Sequence, residues 1–378
     1  MSAKNIPQVV VICGDPGGAN AIVPVIKQLY SEKKMEILVF AYKQAIDIME
    51  KNNISFFTLD EDITNSAIQD VLQKNHPSII VTGTSVNTID LEKKFIRAAR
   101  KLKIPSIAVL DFWSNYSLRF SDDVGDLKFV PEKIAIMDEI ASNDMIAEGF
   151  HPDTLIVTGQ PAFDALEKFK LMYNNENRQK IRNEFHIHEN EFFVLFLSQP
   201  LSRMYGDDES NPRFLGYTEK TVIRNLVAAL NKISQDYKKR IALIIRPHPR
   251  EKSDEFKNIT SKVIRIIVSR DNNPREMVMS ADLVIGMNTE LLVEACYLGC
   301  IVVSLQPGLR NKDVLPTNHE GYSVPVYTQE KIIDIIRMML MDPDRRSKMK
   351  CNLDHFKHNG HATDRVVDTI NRMIVARK

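Results

Sequence analysis

Residues 280–308 read SADLVIGMNTELLVEACYLGCIVVSLQPG, and the fold turns on this stretch. Leu283, Val284 and Ile285 make an apolar run too short for a helix and rich in branched side chains, which predicts a buried strand. Gly286 frees the backbone to turn. Asn288 or Thr289 can then cap a helix, because either side-chain oxygen can accept one of the first-turn N–H groups that find no partner inside it. That helix carries Leu291, Leu292, Ala295 and Leu298 near one face, ends at Gly299, and hands over to a second strand at 301–305. The unit is β-α-β. Parallel sheets gather ligands beyond the carboxyl ends of their strands, where a helix N-terminus offers N–H donors and a partial positive charge. The turn 286–289 is therefore a candidate anion site; the alternative is one of the many strand-helix turns that bind nothing.

With 378 residues the chain has the length of about two domains, enough to bury substantial cores. Fifty basic residues against 49 acidic ones leave no global field toward nucleic acid or an anionic membrane, so any anion site is local. Cys13, Cys296, Cys300 and Cys351 form neither a C-x-x-C pair nor a secretory framework and read as reduced thiols of the cytosol. No signal peptide precedes the first apolar run, and no run approaches the ~18 apolar residues of a membrane span. Without a basic amphipathic helix, the expectation is a cytoplasmic protein, soluble or at most loosely peripheral to a membrane.

The amino-terminal half repeats the pattern. Residues 9–13 are apolar and lead into Gly14, Asp15, Pro16, Gly17, Gly18, Ala19 and Asn20, with a helix predicted over 21–32 and a strand over 36–41. This connection is no G-x-G-x-x-G fingerprint and lacks the Lys-Ser or Lys-Thr of a P-loop, which argues against a dinucleotide or ATP site. Its glycines serve either a tight turn or the approach of a ligand to the backbone, within reach of Asp15 and Asn20. Strands at 79–82, 106–110, 133–137 and 154–157 alternate with helices, so residues 1–165 are expected to form one doubly wound parallel sheet. The 106–110 strand runs into Asp111, Phe112 and Trp113, the single tryptophan. That aromatic cluster either lines a pocket with stacking surface or plugs the base of a groove.

A polar linker over 166–190 precedes a second alternation over 191–345, and a helical segment over 346–378 closes the chain. Strand 192–197 ends on Ser198 and Gln199, followed by a polar stretch to Gly216 long enough for a mobile loop or lid. Strand 241–245 ends in Arg246, Pro247, His248, Pro249, Arg250 and Glu251. A guanidinium here can grip a phosphate with two hydrogen bonds. In the alternative, Arg246 and Arg250 pair with acidic neighbours such as Glu251 and Asp254. His355, His358 and His361 recur at threes, but no carboxylate or cysteine completes a ligand set and Gly360 interrupts the helix, so no metal is expected.

Taken together, V-T-G-x-P-x-x-D (157–164), R-P-H-P (246–249), S-A-D-L-V-I-G (280–286) with E-x-x-x-E-A (290–295), and G-H-A-T-D-R-V (360–366) resemble the GT-B glycosyltransferase superfamily. The non-hydrolysing UDP-N-acetylglucosamine 2-epimerases and the bacterial envelope polysaccharide and teichoic-type transferases share this architecture. The resemblance implies an α/β fold of two doubly wound, Rossmann-like parallel-sheet domains facing across a cleft, with the C-terminal helix crossing back. It implies a glycosyltransferase that moves a sugar from a nucleotide-sugar donor to a glycan or lipid-linked acceptor, with no metal or other cofactor. A homodimer is compatible with it; nucleic acid is not an expected partner. By the same analogy Met287, Asn288 and Thr289 meet the diphosphate and Glu294 the ribose hydroxyls, with Glu290 a further substrate-binding candidate. His248 with Arg246 borders the phosphate or the sugar, Arg250 is a further candidate for ligand contact, and Ser198 and Gln199 lie on the sugar side. Gly17, Gly18, Asn20 and Trp113 complete the substrate-binding set. Asp15 and Asp111 are the carboxylates for the base that an inverting transfer needs, with His248 the third catalytic candidate; a retaining transfer needs no such base. The epimerases carry a histidine-glutamate pair in the N-terminal loop and Ser-Gly-Gly before the anion-binding helix. This chain has Asp111-Phe112 and Gly286-Met287-Asn288 in the comparable places, which ranks an epimerase or hydrolase behind a transferase. A non-catalytic nucleotide-sugar-binding or assembly protein is the other alternative.

Overall fold

The computed structural model describes residues 6–86, 90–122, 125–353 and 360–377. The chain divides into two compact units, Met1–Ala165 with His358–Lys378, and Leu166–Lys357. Among the described residues the first unit holds a parallel sheet of β1 (Gln8–Cys13), β2 (Glu36–Ala41), β3 (Phe57–Thr58), β4 (Ile79–Thr82), β5 (Ser106–Val109), β6 (Lys133–Ile136) and β7 (Leu155–Val157). Its strand order is β3-β2-β1-β4-β5-β6-β7. The second unit holds β8 (Glu191–Leu197), β9 (Arg240–Arg246), β10 (Arg265–Val268), β11 (Leu283–Gly286), β12 (Val302–Leu305) and β13 (Val324–Val326). These are ordered β10-β9-β8-β11-β12-β13 and are again all parallel. Both are doubly wound sheets, as the alternation of strand and helix requires.

The central strands are covered on both faces, which is why they read as continuous apolar runs rather than alternating ones. Val9, Val10, Val11, Ile12 and Cys13 of β1 are all 0% exposed. One face of that sheet packs Val9 and Val11 against Ile22 and Ile26 of the helix Pro16–Glu32 and against Val366, Val367 and Ile370 of the helix Ala362–Val375. The last helix thus completes the core of the first unit. The second unit closes its own core with Leu226 and Leu230 from the helix Glu219–Tyr237 and Ile336 from the helix Ile332–Met341. No helix among the described residues is long and apolar enough to cross a membrane.

Two local expectations are corrected. The first helix begins at Pro16, not near residue 21, so Gly17 and Gly18 form its first turn instead of a free loop. Proline suits that first position because its missing N–H would have no partner there anyway. A Cβ on Gly18 would stand 2.9 Å from both the N and the O of Thr84, so the glycine is required by the backbone that passes beside it. In the polar stretch after Gln199, residues Leu201–Tyr205 form a short helix. Gly216, in the left-handed region at φ 97°, packs its Cα on the carbonyl of Gly308. His355 and His358 lie outside the described residues; His361 pairs with Asp364 at 2.9 Å.

Candidate functional site

In a doubly wound sheet the neighbouring loops that leave in opposite directions open a crevice at the point where strand order reverses. In the second unit that point lies between β8 and β11, and the loops are Ser198–Gln199 and Met287–Thr289. The Gln199 side-chain oxygen accepts the Asn288 N–H at 3.1 Å across it. Met287 is fully buried, its carbonyl accepting the Ser304 hydroxyl at 2.5 Å. Thr289 is the N-cap residue of the helix Glu290–Tyr297 but its side chain caps no N–H, and Asn288 does not cap it either. The N-terminus of this eight-residue helix follows directly on the crevice loop Met287–Thr289 and carries a partial positive charge suited to an anion. Glu290 is half-buried in the first turn. Glu294 is nearly buried one turn on, and both its oxygens accept from Arg275, Nε at 2.8 Å and Nη2 at 3.0 Å. The Glu294 carboxylate is therefore held by a two-pronged ion pair that fixes its direction.

β9 neighbours β8 and delivers the second group of side chains. Arg246 donates from Nη1 to the Asp271 carbonyl at 2.9 Å. The His248 Nδ1 accepts the Arg250 N–H at 3.1 Å, and burial, helped by the Arg250 and Arg270 cations, pushes the imidazole down to about 4. At neutral pH the ring is uncharged with its proton on Nε2, so it is a hydrogen-bond donor and not a base that shuttles between forms. In the alternative reading Glu251 pairs with the arginines, but the structure gives both its oxygens other partners. Glu251 is 2% exposed; its Oε1 accepts the Ser198 hydroxyl at 2.9 Å and its Oε2 the His248 N–H at 2.7 Å. Burial lifts this carboxyl to about 7, with Glu219 and Glu255 adding to the lift against the two hydrogen bonds. Sequence reading placed Glu251 beside the arginines; only the pairing of β8 with β9 brings it to Ser198.

In the first unit the order reverses between β1 and β4, and there the Ser85 hydroxyl donates to Asp15 Oδ2 at 2.9 Å. Asp15 is 6% exposed at the N-cap position of the helix Pro16–Glu32. Asp111, just beyond β5, is also buried; its Oδ1 accepts from Thr84 Oγ1 at 2.6 Å and from Arg119 Nη1 at 2.5 Å. Its Oδ2 lies over Gly17, where a Cβ would stand 2.0 Å away. Gln160, from the V-T-G-x-P-x-x-D segment, donates to the Asp111 carbonyl at 2.8 Å. Thr84, Arg119 and Gln160 went unnoticed in the sequence, where only the polar end of β4 hinted at the first of them. Gly18 packs on the backbone at Gly83 and Thr84, and Asn20 is exposed on the helix. Trp113 is 6% exposed, with its Nε1–H on Asp138 at 2.7 Å and its ring edge-on to Phe112. Its indole is thus packed inside the unit, offering little stacking face. Among the described residues no group of three or more His, Cys, Asp or Glu side chains could hold a metal ion.

A family model described as UDP-N-acetylglucosamine 2-epimerase matches residues 119–371. The UDP-N-acetylglucosamine 2-epimerase of Methanocaldococcus jannaschii is 24% identical over 311 residues, covering 79% of this chain and 77% of that protein. The crystal structure of the UDP-GlcNAc 2-epimerase from Neisseria meningitidis, bound to UDP-GlcNAc, is similar with a TM-score of 0.71 at 16% identity, covering 97% of this chain and all 100% of that one. Anabaena HepE in complex with UDP gives a TM-score of 0.68 at 13% identity, covering 98% and 100%. At those identities the two structures speak for the fold alone. The matches overturn the expected glycosyltransferase: the family and the curated relatives are epimerases. Two of the motifs behind that expectation, 246–249 and 280–286 with 290–295, lie in and just after β9 and β11 of the second unit, and groups that suit an anion cannot distinguish transfer from epimerisation. Gly286-Met287-Asn288 lies inside the matched residues, so that departure does not take the chain out of the family; Asp111-Phe112 lies before them.

Proposed function

The chain belongs to the UDP-N-acetylglucosamine 2-epimerase family, and on that premise we propose that it inverts C2 of a UDP-linked N-acetylhexosamine. The observation that carries this reading is the extent of the family match, which takes in every strand of the second sheet, the Arg246 loop and the Glu290 helix. Inversion at C2 requires a proton to leave that carbon and return on the opposite face. C1 of a nucleotide sugar is an acetal carbon, so no adjacent carbonyl acidifies the C2 hydrogen. It becomes labile as the C1–O bond to UDP breaks: the C–H electrons form a C1–C2 double bond, the C1–O electrons leave with the diphosphate, and re-addition of both restores the sugar.

Such chemistry asks for stabilisation of a departing diphosphate and for groups that take and give a proton. For the first, the N-terminus of the helix Glu290–Tyr297, the Arg246 guanidinium and the neutral His248 Nε2–H are the candidates, with Glu294 addressing the ribose. For the second, the candidates are Asp15 and Asp111. Asp111 accepts hydrogen bonds from Arg119 and Thr84, which fix the direction of its carboxyl group.

The test is incubation with UDP-N-acetylglucosamine in D2O, followed by proton NMR. Signals of the C2 epimer should grow in while the C2 proton is replaced by deuterium. UDP binding with an unchanged nucleotide sugar would overturn the epimerase reading, and failure to bind UDP would overturn the nucleotide assignment with it.

A further inference from the structure

We propose that Glu251 is a positioning residue of the second unit's site: it sets the hydrogen-bonding polarity of Ser198 and the carriage of His248, so that donors address the diphosphate and an acceptor addresses the sugar. This rests on the nucleotide-sugar reading and deepens it. The Glu251 carboxylate joins two loops that leave neighbouring strands, Ser198 after β8 and His248 after β9. A serine hydroxyl has one proton, and that of Ser198 is spent on Glu251 Oε1 at 2.9 Å. Toward any other group its oxygen can only accept. It suits a sugar hydroxyl or an acetamido N–H and is unsuited to an anionic phosphate oxygen. His248 is the converse case. Its Nδ1 is spent on the Arg250 N–H and its ring is neutral, so Nε2–H remains as a donor. The backbone of the same residue is gripped on both sides, its N–H by Glu251 Oε2 at 2.7 Å and its carbonyl by Arg270 Nη2 at 2.8 Å.

The charged groups around Glu251 leave its protonation state sensitive. Glu219, from the helix packed beside it, and Glu255, beyond the same loop, raise its affinity for a proton. Two nearby cations are committed elsewhere: Arg203 to Glu255 and the Arg250 carbonyl, Arg270 to the His248 carbonyl. Arg250 and Arg270 face the imidazole of His248. A protonated Glu251 has an O–H of its own to donate, and directed at Ser198 it would reverse the hydroxyl, freeing the serine proton and occupying its lone pair. Glu251→Gln copies that state: its amide oxygen can still accept from His248 N–H while its NH2 donates to Ser198.

Wild type, Glu251→Gln, Ser198→Ala and the double variant are compared, by calorimetry with UDP and with UDP-N-acetylglucosamine and by turnover from pH 6 to 9, after melting curves establish that each is folded. Affinity for UDP should stay within about threefold, while the extra affinity conferred by the sugar, and kcat/KM at pH 8, should fall about tenfold or more in Glu251→Gln. Ser198→Ala should cost little further in the Gln background, because both changes act through one hydroxyl. Wild-type kcat/KM should rise as pH passes through about 7, where the Gln variant stays flat. Wild-type preference for the sugar nucleotide in Glu251→Gln, or losses from the two changes that multiply, would overturn the proposal. A wild type that binds both ligands but converts neither removes the epimerase reading alone, and the affinity comparison still decides the role of Glu251.

Discussion

Glu251 works against the stability of the unit that holds it. Its ordinary carboxyl value is 4.5, and burial lifts it to about 7 in the folded chain. Between those values the folded state binds more protons than the unfolded one, so this group's contribution is most favourable below pH 4.5 and is progressively lost as pH rises to about 7. Glu251→Gln removes the titration and keeps the shape. The variant should therefore be more stable than wild type at pH 8, by on the order of 1–3 kcal/mol, with the gain shrinking toward zero near pH 5. Urea unfolding at pH 5, 6.5 and 8 measures it; a variant less stable than wild type at pH 8 would show that the carboxylate is a net stabiliser. A residue whose neutral replacement stabilises the fold but weakens catalysis has a functional reason to be charged. Little of this is legible in the chain. Sequence distance hides it, since Ser198 and Glu251 are 53 residues apart and meet only because β8 and β9 are neighbours.

Strands are the most legible elements, because in a sheet covered on both faces each central strand is an unbroken apolar run of strand length. Residues 36–41 and 79–82 appear in the structure with the bounds their sequence suggests. The helix start at Pro16 was misread for a physical reason. Glycine is a poor helix former, so Gly17-Gly18 looks like a loop until the neighbouring backbone is present. What the two glycines answer to differs, and substitutions should separate them. Gly18→Ala drives a Cβ into the Thr84 backbone, which cannot yield without moving the end of β4. It should cost about 1–3 kcal/mol, an overpacking penalty readable as a lower melting temperature. Gly17→Ala meets the Asp111 carboxylate instead and should displace it from Arg119 and Thr84. Turnover should then fall at least about tenfold with a smaller loss of stability. If Gly17→Ala keeps full turnover, the placement of Asp111 has no bearing on the reaction.

At the scale of the whole molecule each of the two units buries its own apolar residues, and the last helix belongs to the first unit. Val366, Val367, Ile370, Met373 and Ile374 show by their spacing that one face of the helix Ala362–Val375 is buried. Periodicity cannot say against what, and the return to the first unit was suggested only by the resemblance to a known superfamily. The structure supplies the reason: Val9, Val11, Ile22 and Ile26 would lose an apolar face without it. Units that share no buried cluster imply that damage to one is felt there first. Ile370 and Ile336 are both 0% exposed, the former buried in the first unit and the latter in the second. Each change to alanine removes buried methylenes from a packed site and should cost about 2–5 kcal/mol. Native-state hydrogen exchange locates the loss. Ile370→Ala should raise exchange in β1, β2 and β4 while β8, β9 and β11 keep their protection, and Ile336→Ala should do the reverse. UDP protection in the Ile370→Ala protein should still fall on the loops after β8, β9 and β11, since the groups proposed to hold the diphosphate all come from the second unit. Equal loss of protection in both sheets from either substitution would mean that the two units unfold as one, and that the division of the chain into units has no thermodynamic counterpart.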